Sequence, residues 1–408
     1  MRDPLKMERP FVLSRAFFAG SQKHGAIWTG DNTATWGHLQ IAAPMLLSIN
    51  LGGLSFAGAD IGGFFGNPDV ELMTRWYQAA AFTPFFRNHA HLDSKRREPW
   101  VFGEPTTSRL RTVTMVRYSL LPLWYTTFYE SYSTGLPVLR PLFMEFPFDT
   151  SVTTTDDTWM IGSSIMIKPV VEQNIKSMDV YLPPAIWYDY FSYTPFNSMT
   201  TNSNTGRKVT ISNINMDTIP VFIRGGSMLM RKMRLRRSSK TMFYDPFTIT
   251  IAPDEYNQAI GSLYMDDEHS LHYTHTDSNQ HTAYYTYFYD GNTNSIVSND
   301  VNSTPNSNSN SNGYKAPNSI EKIELLNQQQ APKQILLSIT HMSQYISNGS
   351  NAIDSNANVV LSDDGTVSTS TKSIEFQLEF QYDTVKKMIT MKKPNVLITS
   401  TWKIQIVY

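Results

Sequence analysis

The 408-residue chain carries 34 Lys+Arg against 35 Asp+Glu, a formal net charge of −1, so no charge excess invites nucleic acid or an anionic membrane. Hydrophobic residues at 41% suffice for real cores, and the length suits two or three domains. With no cysteine, disulfides, thiolate metal sites and cysteine nucleophiles are excluded.

The opening MRDPLKMERP is charged and lacks an apolar run, so it is read as no signal peptide. No stretch approaches 18 consecutive apolar residues, and no membrane insertion is expected. Four short apolar runs follow, Pro10–Arg15, Gly25–Asp31, Gly53–Asp60 and Phe82–His89, each the length of a buried strand and each ending on a polar or charged residue. Between the last two, Asn67 as cap, Pro68 in the first turn and the acidic Asp69 and Glu71 predict a helix start, continued by Val70, Met73, Tyr77 and Ala80. A longer helix is predicted from about Thr107 to Thr134, kinked at Pro122 and ended by Gly135. Strand–helix alternation implies a parallel sheet, and distinctive residues at successive strand ends point to a (β/α)8 barrel, of which only about four units are present.

From Asp149 the texture turns to short β-rich runs and turn residues, predicting antiparallel β-domains at 149–239 and 240–408 after a barrel part at 1–148. The basic cluster Arg231–Arg237 near the end of the first of these reads as a solvated strand edge or linker, not a binding patch. An Asn/Ser/Pro-rich stretch near 299–319 is too poor in apolar residues to fold and reads as a disordered insertion. Sequons stand at Asn302 and Asn348.

The residues that could carry chemistry lie at the four strand ends. Asp31, between Trp28 and Trp36, reads either as a poorly solvated carboxyl suited to general acid work or, with Asn32, as a helix cap. Asp60, flanked by glycines, reads as a ligand carboxylate or as a structural acceptor of loop amides. Arg15, Arg87, His89 and His91 sit at or just beyond other strand ends. His89 and His91 raise a metal site, but no further ligand has the spacing for one, and hydrogen-bonding loop histidines are the plainer reading. There is no Gly-rich phosphate loop and no nucleophile elbow. Paired carboxylates, arginines and aromatic walls suit a polyhydroxylated neutral ligand, with Asp31 and Asp60 the pair that glycosidic cleavage would use.

The runs Arg9–Gly20, Trp28–Thr33, Gly58–Phe64 and Phe85–His89, with Arg140–Phe143, Ile219–Gly226 and Leu263–His269 downstream, resemble glycoside hydrolase family 31 in order and spacing. That resemblance implies the C-terminal half of a (β/α)8 TIM barrel followed by two antiparallel β-sandwich domains, an α/β plus all-β chain. It implies a retaining α-glucosidase without cofactor or metal, with Asp31 as acid/base. Trp28, Asp60, Phe64, Arg15, Arg87 and His89 would form the subsite for the terminal glucose. Asp60 then becomes a substrate ligand, not the second catalytic carboxylate. The runs Ala90–Trp100 and Met233–Ser239 resemble the branch of that family that trims α-1,3 glucose from N-linked glycans in the endoplasmic reticulum lumen, alongside a regulatory β subunit. The family's nucleophile lies in a Trp-x-Asp-Met-Asn-Glu segment that this sequence does not contain, and the expectation is that the chain is a partial sequence of a longer enzyme, with a carbohydrate-binding remnant as the alternative.

Overall fold

The first four apolar runs form short parallel strands. β1 (Leu13–Ser14), β2 (Ala26–Trp28) and β3 (Ala57–Gly58) pair in that order, and β4 (Asp60–Ile61) pairs with β5 (Arg87–Asn88). The single strand expected over Gly53–Asp60 is thus two pieces with different partners. Alternate residues of an extended run turn their backbone groups to opposite neighbours, so the run passes hydrogen bonding from one strand to the next. Phe85 N donates to Ala57 O at 3.1 Å, and a Cβ on Gly58 would collide with the Phe85 carbonyl, which explains the glycine.

This computed structural model describes residues 8–200, 204–234, 236–271, 283–300, 320–339, 374–392 and 402–408. The sequons at Asn302 and Asn348 and the stretch 301–319 lie outside the described residues, while Asn299 and Asp300 close a strand and are no part of an insertion.

The helices pack outside these strands. α1 (Trp36–Leu51) starts at Thr35, whose side chain accepts from His38 N, and α2 (Val70–Ala80) starts at Asp69, which accepts from Leu72 N at 2.7 Å. The cap of α2 is therefore Asp69 and not Asn67, which instead accepts from Lys95 N at 2.8 Å. The long helix is two helices, α3 (Thr106–Ser119) and α4 (Leu121–Thr134). Pro122 falls in the first turn of α4, where its missing N–H costs nothing, so the chain breaks at Leu120 where a kink was expected. Gly135 ends α4 in the left-handed region, φ 76°, as expected.

A six-stranded sheet follows. β6 (Leu139–Pro141), β7 (Trp159–Ile161), β8 (Ile165–Ile167), β10 (Ile186–Asp189), β11 (Pro195–Asn197) and β13 (Val221–Arg224) run antiparallel in the order β11-β10-β13-β8-β7-β6. The pair β9 (Ser177–Leu182) and β12 (Arg207–Ser212) packs on one face. Alternation settles which side chain goes where. Met160, Met166 and Phe222 join Val180 and Leu182, while Trp159, Ile161, Ile165, Ile167, Val221 and Ile223 join the barrel core of Leu72, Trp76 and Phe82.

The remaining strands are β14 (Ser227–Arg231), β15 (Phe247–Ala252), β16 (Gln258–Met265), β17 (Ala283–Asp290), β18 (Ser295–Asp300), β19 (Ile320–Leu325), β20 (Gln334–Ile339), β21 (Ile374–Gln377), β22 (Phe380–Asp383), β23 (Met388–Lys392) and β24 (Trp402–Val407). They form one hydrogen-bonded network, β21-β20-β24-β18-β17-β16-β14-β15-β19-β23-β22. The sequence predicts antiparallel pairing throughout, and the network departs from it: β15 and β19 run parallel, as do β14 and β16. The intervening strands β16–β18 serve as the crossover that parallel neighbours require. The basic cluster is not a solvated edge throughout, since Arg231 and Lys232 are buried.

Candidate active site

The site gathers at one end of the parallel strands, where Asp60 opens β4 just past β3 and Arg87 opens β5. Trp28 closes β2, and Asp31 follows on the turn beyond it. Asp31 is solvent-reached, its side chain 28% exposed, and accepts from Arg15 Nη1 at 3.1 Å. Desolvation between Trp28 and Trp36 is therefore not its circumstance; an arginine partner from the end of β1 is. Neither Asp31 nor Asn32 caps α1, because Thr35 does.

Asp60 is the opposite case. Its side chain is 0% exposed, and one oxygen, Oδ1, accepts from Arg87 Nε at 3.1 Å and Nη2 at 2.5 Å. Oδ2 is buried with no hydrogen-bond partner among the described residues, so Asp60 does not bond loop amides. Burial raises its pKa and the Asp31 charge adds to that, against the opposing pull of Arg87 and His89. A buried acceptor without a donor is costly by itself, about 1–3 kcal/mol. The Arg87 guanidinium carries on over two rings, 5.2 Å from the Trp28 centroid and 5.3 Å from that of Phe85.

The Phe64 ring lies 5.4 Å from that of His89 and edge-to-face with His91 at 5.5 Å. The two histidines meet at an aromatic ring. Among the described residues no three His, Asp or Glu side chains converge as a metal would need.

Three residues that hold the site escape a sequence reading. Asn32 bridges two turns, accepting from Phe64 N at 2.8 Å and donating to Asp60 O at 3.0 Å. Arg97 is buried and donates to the carbonyls of Gly62, Gly63 and Gly66, fixing the loop that carries Phe64. Asn88 donates to Tyr77 Oη at 3.1 Å and Arg97 O at 2.9 Å. Asn32 had a signal, since it lies beside Asp31 in the motif. Arg97 had none, because Lys95-Arg96-Arg97-Glu98 looks like a solvated run. Its neighbour Arg96 does face solvent and pairs with Glu98.

Residues 1–127 match the glycosyl hydrolases family 31 TIM-barrel domain, and residues 135–229 match the family 31 C-terminal domain. The chain belongs to glycosyl hydrolase family 31. It is 43% identical over 403 residues to neutral alpha-glucosidase AB of Dictyostelium discoideum, and 38% identical over 402 residues to the human protein of that name. Each alignment takes in 98% of this chain and 37% of the relative, so the chain spans little more than a third of those family 31 proteins. Among solved structures, the DNJ-bound glucosidase II alpha subunit superposes with a TM-score of 0.84 at 33% identity, over 100% of this chain and 40% of that one. The family 31 chain therefore combines a TIM-barrel part with a sheet-rich C-terminal part.

Proposed function

We propose that this chain supplies the acid/base and the terminal-glucose subsite of a retaining α-glucosidase. The observation that carries this reading is the contrast between two strand-end aspartates. Asp31 is reached by solvent and held by an arginine; Asp60 is wholly buried with one oxygen unclaimed. In this role Asp31 protonates the departing glycosidic oxygen and then takes a proton from water. Asp60 Oδ2 accepts a sugar hydroxyl, which satisfies the orphaned oxygen. Arg15, Arg87 and His89 complete the polar contacts, and Trp28 and Phe64 form the walls. The proposed domain division is a barrel part at 1–148 and β-sandwiches at 149–239 and 240–408, with β6 paired into the first β-sheet and β14 into the last.

The finer reading is hydrolysis of α-1,3-linked glucose on N-linked glycans in the endoplasmic reticulum, together with a regulatory subunit. It rests on the names of similar proteins. A rice protein, 50% identical over 267 residues, is called a probable glucan 1,3-alpha-glucosidase. Similar structures are described as bound to alpha3-Glc2 and Glc1Man2, and as an ER heterodimer with the binding domain of a regulatory subunit.

A retaining reaction needs a second carboxylate about 5–5.5 Å from the acid. Asp60 is committed to Arg87, and the Trp-x-Asp-Met-Asn-Glu segment is not among the 408 residues. This favours a second reading, sugar binding without turnover by this chain alone.

The test uses the whole chain with DNJ for binding, and 4-nitrophenyl α-glucoside and an α-1,3-linked glucose disaccharide for turnover. On the enzyme reading, Asp31→Asn lowers turnover of the disaccharide about 10²–10⁴-fold. It spares the first release of nitrophenolate, whose leaving group needs no proton, while slowing the later attack of water, and leaves DNJ binding nearly intact. Near-normal disaccharide turnover by Asp31→Asn would overturn the acid/base assignment. DNJ binding without turnover by the unaltered chain selects the second reading, and failure of Asp60→Asn to weaken DNJ binding sinks both.

A further inference from the structure

A well-formed apolar cavity lies away from the sugar site. About 450 Å³ in volume, it lies between α4 and the β14–β16 region. Phe56 and Pro84, which line it, precede β3 and β5, whereas Asp31 and Asp60 follow β2 and β3. Its walls are aromatic and aliphatic, among them Trp124, Phe128, Phe243 and Leu263. A volume of this size, apolar walls and a seat between two rigid units are the features of small-molecule sites.

Most polar groups on its wall are spoken for; Trp124 Nε1 is buried with no hydrogen-bond partner among the described residues, and Glu268 offers a free carboxylate. Arg117 donates to the carbonyls of Ala81, Thr83 and Pro84 at 2.6–3.0 Å. Lys232 Nζ donates to Met242 O at 3.0 Å and Phe243 O at 2.7 Å, above the Phe247 ring. Asp266 accepts from Arg9, Tyr125 and Tyr264. The Glu268 carboxylate has no hydrogen bond or ion pair among the described residues. Its backbone is in the left-handed region, φ 61°, held there by Asp266 Oδ1, which accepts from Glu268 N at 2.7 Å. Such a conformation is uncommon for a side-chain-bearing residue. Solvent reaches Glu268, yet the protein around it raises its pKa through burial, opposed by Lys232. Both hold for a group on the wall of a cavity.

We propose that this cavity is a second ligand site, for a neutral amphiphile with an aromatic or branched-aliphatic body and one hydroxyl or N–H donor that bonds Glu268. The charges on the wall balance, Arg117 and Lys232 against Asp266 and Glu268, so an ionic head gains nothing there. A carboxylate free on a largely apolar wall calls for a donor on an apolar body. The site does not depend on the glucosidase reading, since no residue of it belongs to the sugar pocket.

The test titrates the whole chain with N-phenyl-1-naphthylamine, a neutral aromatic with one N–H, following probe fluorescence and calorimetric stoichiometry. The expected result is saturable one-to-one binding, weakened about tenfold by Glu268→Ala and lost in Leu121→Trp, which fills the cavity from α4. DNJ should not compete. Absence of saturable binding overturns the proposal. Equal binding by the parent chain and both variants also overturns it, because the probe then sits on outer apolar surface. Glu268→Ala lies on a turn and keeps the test decisive should the tryptophan disturb α4.

Discussion

Single side chains in this molecule are decided by what they meet, not by how they look in the sequence. Arg231 opens a run that reads as surface, yet it is buried and meets Glu324 at 2.8 Å, with Tyr193 and Thr250 completing the contacts. Burial alone would raise the Glu324 carboxyl, but Arg231 and Lys322 outweigh it and hold the pKa below its ordinary value of 4.5. Because the folded value is the lower one, this contribution to stability is complete above that ordinary value. It is lost as pH falls below it through the depressed midpoint. Glu324→Gln is expected to cost about 3 kcal/mol at neutral pH, with the deficit shrinking in acid, as urea melts at several pH values would measure. A deficit that does not change with pH would contradict it. At the sugar site the same lesson holds. The identities of Asp31 and Asp60 were legible, because both stand at strand ends in distinctive motifs. Their circumstances were not, because burial and an arginine partner come from residues 16 or 27 positions away.

At the scale of elements, most of the barrel part could be read from apolar runs and caps, and the misreadings are local. Asn67 and Asp69 are both good caps, and only the path of the chain to Lys95 assigns them different work. A proline two residues into a helix and one inside it look alike until the break at Leu120 is seen. The two turns of the sugar site are locked to each other. Ala34 N donates to Phe65 O at 2.8 Å, Phe65 N donates to Asn32 O at 2.9 Å, and Gly63, at φ 79°, lies so close to Thr33 and Ala34 that no Cβ fits. Gly63→Ala is therefore predicted to cost about 2 kcal/mol or more, read as a lower melting temperature, and to weaken DNJ binding by moving Phe64. Unchanged DNJ affinity in a folded Gly63→Ala chain would show that the lock does not position the wall.

Over the whole molecule, the six-stranded sheet is buried on both faces and shares one of its cores with the barrel helices. That core also takes in Leu229, Ala252 and Leu326 of the last sheet. Trp159 makes the join specific, its Nε1 donating to Phe82 O at 2.9 Å in a buried contact. Sequence patterning placed the change from α/β to β texture but could not place this contact, because residues 77 apart in the chain leave no periodic trace of one another. Trp159→Phe leaves the Phe82 carbonyl without its donor and opens a small void, at about 2–3 kcal/mol. Calorimetry should show the main transition moving down as a unit; a barrel transition that separates from an unmoved sheet transition would contradict the shared core. The two-faced sheet also bears on how this protein can be switched off. An alternative transcript or a protease cut that removed the C-terminal sheets would strip the lining from the barrel helices, so shortening from that end would silence the sugar pocket instead of releasing a smaller working form.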